Sequence, residues 1–300
     1  MNKCFIKILA VVLFFAPIAN AQSDDDFFKR LCAVSDGKGS FYNIDGIEIM
    51  HHSFPASFSE GEAKKQAHKY GVSRKTNLEK ITPLPFDCYY AGKPEEVVPG
   101  VTKWVSTYLF ANKDNTLSGV LFTFPQGRDT SFEFSFLQML HDAAIPQSIF
   151  AFQTIDSINF AGRYIKLGRA CRWMSVNNVQ CPYLGQLNWS LHKDMKGAQN
   201  NVATQMAVNR GTKGLKVLTE EDINVVFEGA EVKARKLVVD ITGVNSLLVG
   251  MSGGKTLTVY YVAAEIRGYN ISCVMSTWNS DRHDASGLPP LIGEVMTIKN

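Results

Sequence analysis

The sequence predicts an α+β fold in which antiparallel β-meanders are covered by amphipathic helices, and three observations lead there. Glycine turns set consecutive strands in one register over 236–278. Two stretches, Ser59-Glu60-Gly61-Glu62 and Thr130-Ser131-Phe132-Glu133, have the form of helix capping boxes. Helical patterns then alternate with groups of hairpins and not with single strands, which argues against a doubly wound parallel sheet.

The meander is the most determined part of the chain. Arg267-Gly268 separates two β-branched and aromatic runs, 255–266 and 269–278, by a two-residue loop. With Ile266 opposite Tyr269, Ala264 faces Ile271, Val262 faces Cys273, Tyr260 faces Met275 and Thr258 faces Thr277. Side chains alternate with a period of two, so one face is almost wholly apolar. A second turn at Gly253-Gly254 would add Leu247, Val249 and Met251 to that face. The opposite face carries Leu257, Val259, Tyr261 and Ala263, as a central strand covered on both sides would. Apolar residues at 288, 291, 292, 295 and 296 have helical spacing and predict an amphipathic helix lying over this sheet.

From the start of the chain, residues 1–21 read as a secretory leader: Lys3 and Lys7, an apolar run over 8–16, and Ala19-Asn20-Ala21 as the cleavage site. Cys4 is at the wrong end of that run for lipidation. The mature chain is then 22–300, exported to the periplasm or the cell exterior. Of 31 basic residues, removal of Lys3 and Lys7 leaves 29 against 28 acidic ones, a formal charge of +1. That balance gives no electrostatic reason to expect nucleic acid or an anionic membrane as partner. No later segment has the roughly 18 uninterrupted apolar residues of a membrane helix, so the chain is not expected to be an integral membrane protein.

A short helix with Ser23 as cap should turn Phe27, Phe28, Leu31 and Cys32 inward, followed by a strand over 41–50. Ser59 caps a polar helix ending at Tyr70-Gly71. Residues 72–100 hold four prolines and read as a long irregular stretch. A hairpin about 112–115 joins strands over 102–110 and 117–124. Thr130 caps a helix with Phe132, Phe136, Leu140 and Ala143 on one stripe, stopped by Pro146. Strands return over 155–191. A third helix, over 192–209, turns Met195, Ala198, Val202 and Met206 inward. A boundary near 147–156 divides the chain into 22–150 and 151–300, two similar modules, with a single domain over 22–300 as the alternative.

Cys32, Cys88, Cys171, Cys181 and Cys273 remain after cleavage, an odd number, and Cys273 in the core strand is the candidate free thiol. Cys171 and Cys181 flank a hairpin at Asn177-Asn178. A two-residue turn there places Cys181 opposite Met174, so their bond requires an odd loop or a bulge. Cys32 with Cys88 is a weaker alternative.

Compact catalytic signatures are few. Residues 250–256 imitate a phosphate loop but put Val249 where its first glycine belongs, and strand residues follow where a helix should begin. His51-His52 fall on one strand and point to opposite faces, which does not suit one metal ion. There is no CxxC pair, HExxH helix or G-x-S-x-G elbow, and no Cys is marked as a nucleophile. Asp281-Arg282-His283-Asp284 lies in a polar loop after the meander, where His283 with Asp281 or Asp284 could act as acid and base. The segment 171–189 combines Trp173 and Trp189 with Asn177, Asn178, Gln180 and Gln186, a set of rings and amides suited to sugar or peptide. The resulting expectation is an exported binding or interaction protein without cofactor or metal, its partner an envelope glycan, peptide or protein. The competing class is a hydrolase of envelope or extracellular material using the 281–284 loop.

Overall fold

The structure, a computed structural model, describes residues 26–151, 155–168, 170–242 and 254–299. The expected leader, the expected cap Ser23 and the strand expected over 247–251 with its Gly253 turn lie outside them. The described chain is α+β, mostly antiparallel strands with few helices.

The first sheet is built from β1 (Cys32–Ser35), β2 (Gly39–Ile44), β3 (Ile47–Ser57), β4 (Glu79–Ile81), β5 (Cys88–Val98), β6 (Val101–Ala111), β7 (Thr116–Phe124) and β8 (Phe150–Ala151). Its order is β4-β5-β6-β7-β3-β2-β1-β8, antiparallel except for β1 with β8. Helix α1 (Glu60–Ala67) follows β3 and α2 (Thr130–His141) follows β7. Ala63 and Ala67 of α1 pack on Leu109 and Leu117. Phe136 and Leu137 of α2 join Tyr108, Phe110 and Phe122 in a separate apolar cluster.

After a two-stranded hairpin, β9 (Ser157–Phe160) and β10 (Arg163–Lys166), comes the second sheet. It comprises β11 (Arg172–Ser175), β12 (Asn178–Cys181), β13 (Gly185–His192), β14 (Leu215–Phe227), β15 (Ala230–Ile241), β16 (Thr256–Ile266), β17 (Tyr269–Trp278) and β18 (Met296–Ile298). The order is β11-β12-β13-β17-β16-β15-β14-β18, with α3 (Met195–Gly211) after β13 and the single turn α4 (Pro290–Gly293) before β18. Tyr260, Val262, Ala264, Ile271, Cys273 and Met275 share one buried cluster with Trp189 and Phe160. Val259 and Tyr261 pack on the other face with Leu237, Val239 and the Val202 and Met206 side chains of α3.

The β16–β17 register has Ile266 opposite Tyr269 and Thr258 opposite Thr277, as the Arg267-Gly268 turn requires. On its other side β16 pairs with β15, Lys236 opposite Tyr260 and Asp240 opposite Thr256. The place expected for 247–251 is therefore held by 236–240. The predicted helix over 288–298 is a correction of a different kind. All five apolar residues are buried, but only Pro290–Gly293 is helical, and Met296–Ile298 pairs with the edge of β14. Spacing over so short a run does not separate one helical turn plus a strand from a continuous helix.

Three more corrections concern turns and breakers. Residues 41–50 form two strands, because Asp45 (φ 52°) and Gly46 (φ 79°) make a two-residue hairpin turn. The supposedly irregular 72–100 stretch contains the eleven-residue β5. Pro94 is accommodated there because β4 pairs only with Cys88, Tyr89 and Tyr90, leaving the outer edge of β5 unpaired at the proline. The second helix is capped by Asp129, whose carboxylate accepts from Phe132 N at 3.0 Å. Glu133, expected to reach back to the cap, is instead fully buried, accepting from Tyr108 Oη at 2.7 Å and Arg128 Nε at 2.8 Å. The helix ends at His141, and Ala143 (φ 53°) turns the chain before Pro146 is reached.

Candidate functional site

The hairpin over 171–189 owes its shape to one bulge. Ser175 pairs with Asn178, so the turn is Val176-Asn177, one residue earlier than the paired asparagines suggested. The register then shifts across Met174, which stands exposed, and Trp173 comes opposite Val179. That shift brings Cys171 level with Cys181, and the two form a disulfide with Cα atoms 4.1 Å apart. Cys32, Cys88 and Cys273 are free thiols, Cys273 fully buried.

Alternation along β12 and β13 divides the predicted binding residues between two faces. Val179, Cys181, Leu187 and Trp189 enter the core, so Asn178, Gln180 and Gln186 point away from it. Gln186 Nε2 donates to Asn178 Oδ1 at 2.7 Å, and Gln180 Oε1 accepts from Arg172 at 3.3 Å. Asn177 escapes this alternation. It occupies the left-handed turn position (φ 55°), which asparagine tolerates, and its side chain folds inward to 5 % exposure. Its carbonyl accepts from Trp189 N at 2.9 Å, which fixes these two residues side by side.

Trp173, Asn177 and Trp189 meet at a cavity of about 310 Å³. The indoles of Trp173 and Trp189 lie 6.3 Å apart, and Phe160 backs Trp189 at 5.3 Å. Across the cavity stand Cys32 and Ala33 of β1, so its walls come from both sheets. Asn159 and Ala161 of the β9–β10 hairpin close a third side. That hairpin is pinned by Arg267, which donates to Ala161 O at 2.8 Å and Phe160 O at 2.7 Å.

The polar groups at the cavity are unusual in what they lack. Trp189 Nε1 and Asn177 Nδ2 are both buried and neither meets a protein acceptor. Burial pushes the Cys32 thiol pKa up, and the neighbouring Asn177 amide opposes that rise. No atom, however, reaches Nδ2 in hydrogen-bonding geometry, and the thiol itself donates to Arg30 O at 3.8 Å. Each buried, unsatisfied donor costs about 1–3 kcal/mol.

The 281–284 loop is organised differently. Asp281 Oδ2 accepts from Trp278 N at 2.8 Å and Thr277 Oγ1 at 3.0 Å, and Asp284 Oδ1 accepts from Ser286 Oγ and, at 2.7 Å, from Ser286 N. The Ser286 bonds hold the Asp284 carboxyl below the usual range. His283 is exposed. Asp281 shares a separate cavity of about 200 Å³ with Gln180 and Gln186, the amides that turn away from the rings.

A serine–histidine pair that the sequence did not suggest lies under α3. His192 Nε2 is 2.8 Å from Ser272 Oγ, which also accepts from Asn201 Nδ2 at 2.8 Å. Ser272 is buried with its hydroxyl engaged by both His192 and Asn201, and the pair anchors α3 to β13 and β17. His51 and His52 have separate neighbours, Ser118 at 3.1 Å and Tyr70 at 3.3 Å. Among the described residues no group of three or more His, Cys, Asp or Glu is placed to hold a metal ion. Among them, too, no helix is long and apolar enough to cross a membrane.

The residues that sequence reasoning missed are the far walls, Cys32, Ala33, Asn159 and Ala161. The Ala161-Gly162 turn of the β9–β10 hairpin was a legible signal, but nothing local to it points to Trp189.

No family model matches the chain, and no curated protein matches it. Among solved structures it is similar to DynU16, a protein of the dynemicin biosynthetic locus. The identity is 9 % over 77 % of this chain and 86 % of that one, with a TM-score of 0.22.

Proposed function

We propose that this chain is an exported binding protein, of the periplasm or cell exterior, built from two modules of one design that hold a small ligand between them. The cavity lined by Trp173, Trp189 and Asn177, with two buried donors lacking acceptors, is the observation that carries this reading. Concave sites where apolar and aromatic side chains meet a few polar groups are where small ligands bind, and sites between domains are favoured.

The modular part of the proposal rests on strand order. The run β4-β5-β6-β7-β3-β2-β1 has the same sequence of connections as β14-β15-β16-β17-β13-β12-β11, with a helix inserted after the third strand each time. We take the modules to be 22–150 and 151–300. Export is supported by the leader pattern and by the Cys171–Cys181 disulfide, which belongs to an oxidising compartment. A glycan or peptide ligand would also draw on Asn178, Gln180 and Gln186, which lie on the face away from the rings. A hydrolase using His283 is the weaker reading, because Asp281 and Asp284 are engaged in turn hydrogen bonds.

Native mass spectrometry of the protein purified from its exporting cells tests this. The expected result is a small-molecule adduct lost on denaturation, together with protein recovered from the extracytoplasmic fraction. Recovery of unliganded protein that no fraction of an extract of those cells stabilises against heat would count against it.

A further inference from the structure

Resting on the cavity reading above, we propose that the occupant is a flat aromatic molecule that presents a carbonyl or carboxylate oxygen to the Trp189 indole and the Asn177 amide. Shape comes from the walls. Trp173 and Trp189 are 6.3 Å apart at an interplanar angle of 42°, with Phe160 packed on Trp189 and Tyr269 also in the lining. Such surfaces favour a ring system that stacks or meets them edge-on.

Chemistry comes from the two donors. An indole N–H and an amide N–H give hydrogen bonds and cannot accept them at those atoms. The ligand must therefore bring an acceptor. The Trp189 N to Asn177 O bond of 2.9 Å sets the two residues that carry these donors side by side in the wall. An acceptor oxygen there restores the hydrogen bonding that both groups lost on burial, whereas a hydrocarbon of the same shape leaves them unsatisfied. Asn159 Oδ1, the amide acceptor on the β9–β10 side, already accepts from Gly162 N at 2.8 Å and holds the hairpin turn.

Titration of the exported, disulfide-bonded protein with 2-acetylnaphthalene and with 2-ethylnaphthalene, followed by tryptophan fluorescence and calorimetry, separates the possibilities. The ketone should bind about a hundredfold more tightly than the hydrocarbon, about tenfold for each buried donor satisfied. Trp189→Phe keeps a ring and removes one donor. Asn177→Gly keeps a residue suited to the left-handed turn and removes the other. Each should bring the ketone down towards the affinity of the hydrocarbon, whose own binding changes little. Equal affinities in the wild-type protein would overturn the acceptor assignment and leave the cavity as a binding site. Failure of both probes to bind would overturn the cavity reading as well.

Discussion

Burial sets the behaviour of two histidines, His51 and His192. Desolvation pushes His51 down to about 4, with a smaller contribution from the nearby His52. His192 is likewise pushed down to about 4 by burial, although Asp45 and Asp194 pull in the opposite direction. Both are therefore neutral in the folded protein at pH 7, where an ordinary histidine titrates near 6.5. Below that value the unfolded chain takes up protons that the folded chain refuses. Stability is thus complete above about pH 6.5, falls as the pH drops towards 4, and levels off below it. The slope should reach about 1.4 kcal/mol per pH unit for each histidine. Urea unfolding at a series of pH values measures it, and His192→Gln should remove close to half. An unchanged slope in that variant would show that His192 titrates normally. Neither histidine was recognisable from its neighbours in sequence. His51 announced itself only as one of a pair, and Ser272, the partner of His192, lies 80 residues away.

At the scale of elements, the hairpin over 171–181 depends on its disulfide. β11 is a four-residue edge strand interrupted by a bulge, with β12 as its neighbour in the sheet. The bond closes a loop of sequence separation 10, and by loop-closure arithmetic contributes about 2–3 kcal/mol. Cys171→Ala with Cys181→Ala should lower stability by about that amount and make Trp173 more accessible to acrylamide quenching, while the buried Trp189 is protected. Quenching that rises equally for both rings would mean that the whole second sheet has loosened. The same hairpin shows where sequence patterning stops. Asn177-Asn178 is a strong turn signal, and the need for a bulge was readable from cysteine parity. The turn nevertheless forms at Val176-Asn177, because inward placement of Val179 and Cys181 decides the register. β16 and β17 were legible in full, since Arg267-Gly268 allows one pairing and both faces agree with it. Asp45-Gly46 is an equally plain signal that the alternation over 41–50 obscured. For 288–298 the apolar positions were right and the period was not, because five residues cannot distinguish a turn of helix entering a strand from a helix.

For the whole molecule the decisive question is what joins the two sheets, since the cavity exists only while they stay together. Its walls come from residues within 28–34, 148–151, 159–162 and 173–191 and from Tyr269, separations that no local pattern encodes. Each sheet has its own apolar clusters, so few shared core contacts cross between them. Asp45, at the tip of the β2–β3 turn, makes the most concentrated connection. Its N–H donates to Leu191 O at 3.0 Å, and its Oδ1 accepts from Lys193 N at 2.7 Å and from Arg30 Nε at 3.1 Å. Hydrogen bonds to a charged group are worth about 1.5–3 kcal/mol each, enough to couple two bodies of modest stability. Asp45→Asn keeps a residue that accepts the left-handed turn but removes the charge that Arg30 and Lys193 N share. Scanning calorimetry should then show two transitions for the variant against one for the wild-type protein, with amide exchange accelerated in β1 and β13 before the centres of either sheet. Ligand at the cavity should merge the two transitions again, because it binds only the joined state. One undivided transition in the variant would place the coupling in the packing around Trp189 and Cys32, with Asp45 as an ornament of the turn.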